Sequence, residues 1–412
     1  MEHLKVDQDG TRDTATRLIH HPYTAPEGFL APQPGVFKAS TVFFSSVAAM
    51  RSIEWKDKTG YTYGLHGTPT TYMLEERLCT LEGGQQCLLV PSGLAAIATV
   101  ALSLLATGDE VLIPDNVYGP SRALAKGELR SWGIGQRFYD PMDPRDLADK
   151  IGARTRLVWL EAPGSVTLEF PDLVEMLRVC REKGVLAALD NTWGAGIAFR
   201  PFDLVAGASP AVGVDISVHA LTKYPSGGGD VLMGSIMTRD PALHMQLKLT
   251  HMRLGLAVGA NDAEAVLRSL PSIVLRYRAH DAATRVLAAW CQQLAPLAQV
   301  LHPALPQSPG HHHWRSLCRV GPGGAAGIFS VIFKPEFSAA QVDAFCDALQ
   351  LFKLGYSWGG PVSLVVPYDL ASMRSGWPSH LRNGTVVRFS VGLEAVEDLQ
   401  ADLEQALKRV FG

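Results

Sequence analysis

Between residues 68 and 240, short apolar segments alternate with segments of helical spacing, and this alternation constrains the fold more than any other feature. The strand candidates are QCLLVP (86–91), EVLIPD (110–115), RLVWLEA (156–162), VLAALD (185–190) and VDISVHA (214–220). Between them, LAAIATVALSLLA, PSRALAKGELRSW and PDLVEMLRVCREKG repeat apolar residues at helical intervals. Such strands are typical of a mainly parallel sheet covered by helices on both faces. We therefore predict an α/β fold whose ligands bind at the carboxyl ends of the strands.

The flanking regions predict two further parts. Residues 1–67 contain the Pro- and Gly-rich stretch HPYTAPEGFLAPQPGVF, so we expect an irregular arm that lies on another surface, without regular elements over residues 1–60. Residues 68–268 form the predicted large domain. Residues 269–412 mix helical segments with the strand candidates GIFSVIF and VVRFSVGL, which predicts a smaller α+β domain.

Composition excludes several classes of partner. The chain has 412 residues, a net charge of −3 and no basic stripe, so we expect neither nucleic acid nor an anionic membrane as partner. Its six cysteines are scattered without a C-x-x-C pair, which favours free thiols in a reducing, cytoplasmic compartment and disfavours zinc. The polar N-terminus predicts no signal peptide, and the longest apolar run, at 94–106, is too short to cross a bilayer.

The segment SVHALTKYPSGGGDVLMG (217–234) places Lys223 just after an apolar strand pattern. An ammonium group there loses solvation, so its pKa falls and the amine becomes a nucleophile suited to a Schiff base with an aldehyde. The alternative is an ordinary surface lysine in a loop. The three glycines at 227–229 lack the Gly-Lys-Ser/Thr ending of a nucleotide loop and are interpreted as letting the backbone pass close to this lysine.

In LDNTWGAG (189–196), Asp190 ends a wholly apolar strand. A carboxylate in that place needs a cation or several hydrogen-bond donors, and a protonated pyridine nitrogen would serve. The alternative is an N-cap for a following helix.

Two further loops follow strands at the same predicted edge. In PSGLAAIATVAL (91–102) an apolar helix starts at Gly93 and Leu94, and its free backbone N–H groups predict an anion site. In DNVYGPS, Tyr118 offers a ring that can stack on a flat heterocycle, although a surface turn has the same pattern. An amine, an acid, an anion site and an aromatic ring at one edge indicate a planar phosphorylated aldehyde, pyridoxal 5'-phosphate (PLP).

These segments resemble the Cys/Met-metabolism family of fold-type-I PLP-dependent enzymes, with the greatest likeness to bacterial cystathionine β-lyases. The resemblance runs from about residue 15 to the C-terminus. The matching stretches are YGLHGTPTTYMLEERLCTLEGG (63–84), PSGLAAI, NVYGPS, WLEAPGSVTLE (159–169), LDNTWGAG, ALTKY (220–224) and YSWGGPVSL (356–364).

The resemblance implies a cofactor site residue by residue. Lys223 is similar to the Schiff-base lysine, and Asp190 to the partner of the pyridinium nitrogen. Tyr118 is similar to the ring that stacks on PLP and helps in proton transfer. The phosphate loop corresponds to Gly93 and the Leu94 backbone, with the Thr222 hydroxyl added.

The resemblance also implies which residues bind the substrate. Arg388, in VVRFSVGLE, is similar to the clamp on the substrate α-carboxylate, which would otherwise be an exposed strand arginine. Ser357 and Trp358 correspond to residues that line the substrate. Tyr63 corresponds to a phosphate ligand that comes from a neighbouring subunit, so we expect a homo-oligomer, by family likeness a tetramer built as a pair of dimers.

The chain departs from the family after Tyr63, where arginines are usual. Leu65 cannot donate a hydrogen bond to the phosphate. His66 is expected to replace the second arginine in part, near the distal end of the substrate. We expect these two replacements to affect the affinity for the cofactor and the recognition of a distal carboxylate of the substrate.

The resemblance implies β-elimination of the small-molecule sulfur amino acid L-cystathionine to homocysteine, pyruvate and ammonia, a step towards methionine. The enzymatic alternatives within the same family are a γ-lyase or γ-synthase, or a broad cysteine-S-conjugate β-lyase. The non-enzymatic alternative is a degenerate homologue that binds PLP without turnover. Bulky Trp358 and the EAPGS sequence favour the β-lyase. No metal site is expected: the run His311, His312 and His313 is interpreted as a surface turn.

Overall fold

A seven-stranded sheet forms the centre of the region in which apolar and helical segments alternate. Its strands are Gln86–Val90 (β1), Glu110–Pro114 (β2), Gly135–Tyr139 (β3), Thr155–Glu161 (β4), Leu186–Asp190 (β5), Ile216–Ala220 (β6) and Gly234–Thr238 (β7). They lie in the order β1-β7-β6-β5-β4-β2-β3. Neighbours from β6 to β3 are parallel, and β7 runs antiparallel to both of its neighbours. The predicted α/β fold with a mainly parallel sheet is confirmed.

The computed structural model describes residues 31–56, 58–318 and 321–412, with the single residues 16, 19 and 28. The chain divides into two compact units, Met1–Gly35 and Val36–Gly412, and both sheets belong to the second. Residues 1–30 of the arm predicted for residues 1–67 lie outside the described residues, apart from the single residues 16, 19 and 28.

Helices cover both faces of the large sheet. The helices of this part of the chain are Val47–Ser52 (α1), Pro69–Glu82 (α2), Gly93–Leu104 (α3), Gly119–Leu124 (α4), Pro144–Lys150 (α5), Leu173–Lys183 (α6), Pro241–Leu254 (α7) and Ala260–Ser269 (α8), of which α1 has no buried residue. Successive residues of β5 enter different cores: Ala187 and Leu189 pack with residues of α2 and α8, whereas Ala188 packs with residues of α3 and α7. This two-sided burial is the reason that the strand sequences are apolar throughout.

A second, five-stranded sheet follows. It contains Leu297–Leu301 (β8), Ile328–Phe333 (β9), Lys353–Leu354 (β10), Leu364–Tyr368 (β11) and Val386–Ser390 (β12), in the order β10-β11-β12-β9-β8. Its neighbouring helices are Ile273–Cys291 (α9), His311–Leu317 (α10), Ala339–Ala348 (α11), Leu370–Met373 (α12) and Val396–Phe411 (α13). One apolar cluster runs from Ala263 of α8 through Tyr277 of α9 to Ile328 of β9. Because this core crosses the predicted boundary at 268/269, that boundary stays a prediction.

Local sequence sets the ends of the helices that frame the site. Thr68 and Thr71 form a reciprocal capping box at the start of α2, where Pro69 occupies the first helical position. Gly83 ends α2 in the left-handed conformation with a φ of 84°. The Ser92 side chain caps α3 by accepting a hydrogen bond from the Ala95 N–H at 3.0 Å. The chain therefore turns sharply from β1 into α3.

Two local predictions are wrong. Residues 1–60 are not wholly irregular, because Val47–Ser52 is a short helix whose cap, Ser46, accepts from the Ala49 N–H at 3.1 Å. The triple histidine is not a turn but the start of α10. The helix forms because Trp314 is buried to 1% exposure and its indole N–H donates to the Gly324 carbonyl at 2.7 Å, so tertiary burial overrides the local turn composition.

Within the described ranges, no cluster of three or more His, Cys, Asp or Glu side chains is arranged to hold a metal ion. Nor does any helix there combine the length and apolarity that a bilayer crossing requires.

Candidate active site

The carboxyl ends of neighbouring strands bring the predicted residues to one edge of the large sheet. Asp190 is the last residue of β5, and Lys223 follows β6 by three residues. Tyr118 follows β2 and caps α4. Gly93 begins α3 and packs against β6: a Cβ added to it would lie 2.6 Å from the Ala220 Cβ. Only a glycine at position 93 therefore lets the start of α3 approach the lysine strand this closely.

Lys223 reaches across to the smaller sheet. Its Nζ donates to the Ser357 Oγ at 2.8 Å and lies 5.4 Å from the centre of the Trp358 ring. Burial, followed by the Arg388 charge, lowers the pKa of Lys223 from 10.5 to about 8, against the opposing effect of Asp190. The side chain is therefore a buried amine with a substantial unprotonated fraction near neutral pH, and not a surface lysine in a loop.

We expect the rate at which the apoenzyme captures PLP to rise with pH and to level off above about pH 8. Only an unprotonated amine attacks an aldehyde, and the lowered pKa brings that form to half-population at about pH 8 instead of the usual value of about 10.4. Stopped-flow absorbance of apoenzyme mixed with PLP measures the rate, with free acetyl-lysine amide as the control amine. A rate that still climbs as steeply as the control at pH 10 would contradict a buried amine.

Asp190 is a buried acid with few protein partners. Its Oδ1 accepts from the Thr192 N–H at 3.0 Å, and burial raises its pKa. No regular helix follows it, because residues 192–197 form turns, so the alternative of an N-cap does not hold. A buried carboxylate without a paired cation among the described residues suits a cationic ring nitrogen.

The phosphate side combines helix α3 with Thr222. The N–H groups of Gly93 and Leu94 are the first of α3 and have no acceptor within the helix. The Thr222 Oγ1 donates to the Met233 carbonyl at 3.3 Å, a long bond that a rotated hydroxyl would give up for a phosphate oxygen. This arrangement suits an anion, although the arginine usual in the family is replaced by Leu65.

Tyr118 is held by its backbone and not by its phenol. Its N–H donates to the Glu161 Oε2 at 2.9 Å, while the side chain remains 43% exposed. Burial and the charges of Asp190 and Glu161 raise the pKa of the phenol, so the ring faces the acidic pair at the ends of β4 and β5. This is the place from which a ring stacked on the cofactor would project.

Arg388 lies on β12 and presents unused hydrogen-bonding capacity to the site. Its Nη2 donates weakly to the Ser357 carbonyl at 3.4 Å, and its Nε is buried without any hydrogen-bond partner in the described part of the chain. The guanidinium lies 5.4 Å from the centre of the Tyr368 ring. It is therefore not the exposed strand arginine that sequence allowed. A buried donor with no acceptor marks the place where a carboxylate would bind.

Tyr63 and His66 lie elsewhere in the same chain. Tyr63 pairs with Thr41 in an isolated β-bridge, and His66 accepts or donates a 2.8 Å bond with the Thr62 hydroxyl while stacking on Trp55. Among the described residues, no hydrogen bond or ring contact joins either of them to Lys223, Asp190 or Arg388. Burial lowers the pKa of His66, which favours its neutral form. Their action in a neighbouring subunit stays a prediction.

Sequence reasoning missed two residues at this edge. Glu161 ends an apolar strand just as Asp190 does, and the same signal would have found it. Tyr368 ends β11 beside Arg388; no local pattern distinguishes it, because its proximity arises from strand pairing in the smaller sheet.

The comparison with known proteins agrees with this geometry. The family described as Cys/Met metabolism PLP-dependent enzyme matches residues 15–408. The chain belongs to this family. It is 39% identical over 397 residues to a putative cystathionine β-lyase of Rhizobium johnstonii, covering 95% of this chain and 94% of the relative. It is 34% identical to an L-alanine/L-glutamate racemase of Wolbachia pipientis, covering 85% and 83%.

A solved structure shares the fold. Cystathionine γ-synthase from Xanthomonas oryzae, in complex with aminoacrylate and cysteine, superposes with a TM-score of 0.81 at 29% identity, covering 92% of this chain and 94% of that one. The names of these relatives include a lyase, a racemase and a synthase, so membership establishes a PLP-dependent enzyme without choosing the reaction. The residues present fit the cofactor: an amine, a buried acid, a helix start for the phosphate and a stacking ring.

Proposed function

We propose that this protein is a cystathionine β-lyase, which releases homocysteine, pyruvate and ammonia from L-cystathionine. The observation that carries the proposal is the position of Trp358, whose ring lies 5.4 Å from the Lys223 amine. The indole is held in place by the Tyr224 ring, at a centroid distance of 5.5 Å. A rigid, bulky wall beside the group that moves protons restricts chemistry at the more distant γ-carbon, and so supports elimination at the β-carbon. The family relatives named cystathionine β-lyase add support.

In the proposed reaction each of the site residues has a separate role. When bound, PLP withdraws electrons from the substrate α-carbon. The Arg388 guanidinium binds the α-carboxylate and orients the Cα–H bond. The Lys223 amine would remove the Cα proton and then donate a proton to the departing sulfur, with the Tyr118 phenol as the assisting group. Asp190 supplies the negative charge that keeps the ring nitrogen protonated. The C–S bond breaks, the thiol leaves, and the enamine product hydrolyses to pyruvate and ammonia.

The keto-acid product tests the proposal. With PLP and L-cystathionine, we expect pyruvate and homocysteine in equal amounts, because β-elimination cleaves the bond between sulfur and the three-carbon unit. Chromatography of derivatised keto acids separates pyruvate from 2-oxobutyrate, the product of γ-elimination. A matched variant, Trp358→Ala, should raise the share of 2-oxobutyrate if the indole restricts γ-chemistry.

Three outcomes would contradict the proposal. Mainly 2-oxobutyrate from the unmodified protein would favour a γ-lyase. Pyruvate formed faster from cystine or other cysteine conjugates than from cystathionine would favour the broad β-lyase. Bound PLP without any keto acid would favour the degenerate homologue.

We also propose that the enzyme is a cytoplasmic homo-oligomer, as a tetramer built from two dimers. All six cysteines are free and buried, which suits a reducing compartment. The segment that precedes α2 exposes large apolar side chains, among them Phe43 at 95% and Val47 at 59%. Exposed apolar groups clustered in one segment support its docking on a second copy of the chain.

A further inference from the structure

Glu161 is a second buried acid at the edge where the cofactor binds. It is the last residue of β4, it is in register with Asp190 on β5, and it is 9% exposed. Register partners on parallel strands project to the same face, so the two carboxyl groups lie side by side. The Oε2 of Glu161 accepts from the Tyr118 N–H at 2.9 Å. Glu161 thus links the strand beside Asp190 to the residue that bears the stacking ring.

Ionising both acids of this pair at once is unfavourable, because two neighbouring carboxylates repel each other. The titratable groups that face Glu161 are Asp190 on β5, the phenol of Tyr118 and the phenol of Tyr139 on β3. None of these is a cation. The His219 ring and the Lys223 amine act on Asp190 and lower its pKa. Burial, followed by the Asp190 charge, raises the pKa of Glu161 to about 8, against hydrogen bonds from the Tyr118 N–H and Ser165.

We propose that Glu161 is a positioning residue that carries a proton beside Asp190 and holds the Tyr118 ring in place through the Tyr118 backbone. A neutral carboxyl group still accepts the Tyr118 N–H through its carbonyl oxygen. Its neutrality leaves Asp190 as the one anion of the pair, which matches the single positive charge of a protonated ring nitrogen. The inference rests on the proposed roles of Asp190 and Tyr118, and not on which C–S bond is cleaved.

The test compares the unmodified holoenzyme with Glu161→Gln and Glu161→Ala by the visible absorption of bound PLP as a function of pH, without substrate. Glutamine keeps the acceptor and the neutrality but cannot ionise. We expect it to keep the neutral-pH spectrum, to retain kcat within about threefold, and to lose an alkaline spectral transition that the unmodified enzyme shows. Alanine removes the acceptor, so we expect PLP to remain bound, its band to shift, and kcat to fall by about tenfold or more.

A matched control is Asp402→Asn, because Asp402 is also a buried carboxyl that accepts backbone N–H groups, those of Gln350, Leu351 and Phe352, within the smaller sheet domain. It should leave the spectrum and its pH dependence unchanged. Glutamine as damaging as alanine would show that Glu161 acts as an anion and would overturn the inference. Alanine indistinguishable from the unmodified enzyme, or an alkaline transition that survives in the glutamine variant, would overturn it as well. A γ-elimination product in the keto-acid assay would leave all these spectra unaffected, so the two proposals can fail separately.

Discussion

Lys223→Ala should lower kcat for pyruvate formation by about 1000-fold or more, because one side chain performs two tasks. In the proposed mechanism its amine links covalently to PLP and also serves as the base at the substrate α-carbon. The structure places that amine 2.8 Å from the Ser357 hydroxyl, and burial and the Arg388 charge lower its pKa to about 8 against the effect of Asp190. The variant should still bind PLP non-covalently through the other contacts, but its absorption spectrum should be that of a free aldehyde.

The measurement is single-turnover and steady-state pyruvate formation with PLP in excess. Lys183→Ala is a suitable control, because Lys183 lies exposed in the last turn of α6, and it should leave the rate unchanged. Pyruvate formed by the Lys223 variant at a rate comparable to that of the unmodified enzyme would show that another base and another linkage carry the reaction.

Arg388→Gln should raise the KM for L-cystathionine by about 100-fold, in keeping with the loss of a buried charge-assisted pair. The Arg388 Nε is buried without a partner, and the Nη2 makes only a 3.4 Å contact with the Ser357 carbonyl. In the proposed mechanism a substrate carboxylate would accept hydrogen bonds from these donors, whereas glutamine presents neither the charge nor the fork. Arg388→Lys should restore the charge but not the two-point geometry, and so recover only part of the affinity.

Steady-state kinetics on both variants, with the PLP spectrum as a check on cofactor binding, measures the effect. Arg178→Gln is the control, since Arg178 makes an exposed ion pair with Glu175 on α6 and such pairs contribute little. An unchanged KM in Arg388→Gln would place the carboxylate elsewhere, and loss of PLP would show that Arg388 acts on the cofactor.

The fold could be predicted where strands are buried on both faces. All five strands proposed for the large sheet are present, because few structures other than a buried strand accommodate a short, continuously apolar run between helical segments. Strand β3 was missed because its sequence, GQRFY, is polar and partly exposed at the edge of the sheet. Strand β7 was missed because it lies beyond a glycine-rich loop and pairs antiparallel on both sides, which no local pattern indicates.

Some residues of the candidate site could likewise be predicted from the sequence, and others could not. Asp190 ends a strand and Lys223 and Tyr118 each follow one, so their common edge is a consequence of parallel topology. Arg388, Ser357 and Trp358 came only from family resemblance, because Arg388 lies in the smaller sheet and the other two lie in the loop between its strands β10 and β11. The contact between Lys223 and Ser357 spans 134 residues of sequence.

The sequence by itself determined the strand–helix order, and through it the edge of the sheet where an amine, an acid and a helix start meet. Hydrophobic periodicity is a local property, and the topology of parallel strands follows from it. Only the tertiary structure decided that Arg388 is buried with an unused donor, that Trp358 stands over the amine, and that Glu161 lies beside Asp190. These are distances between segments far apart in the chain, and they depend on how two sheets pack and pair.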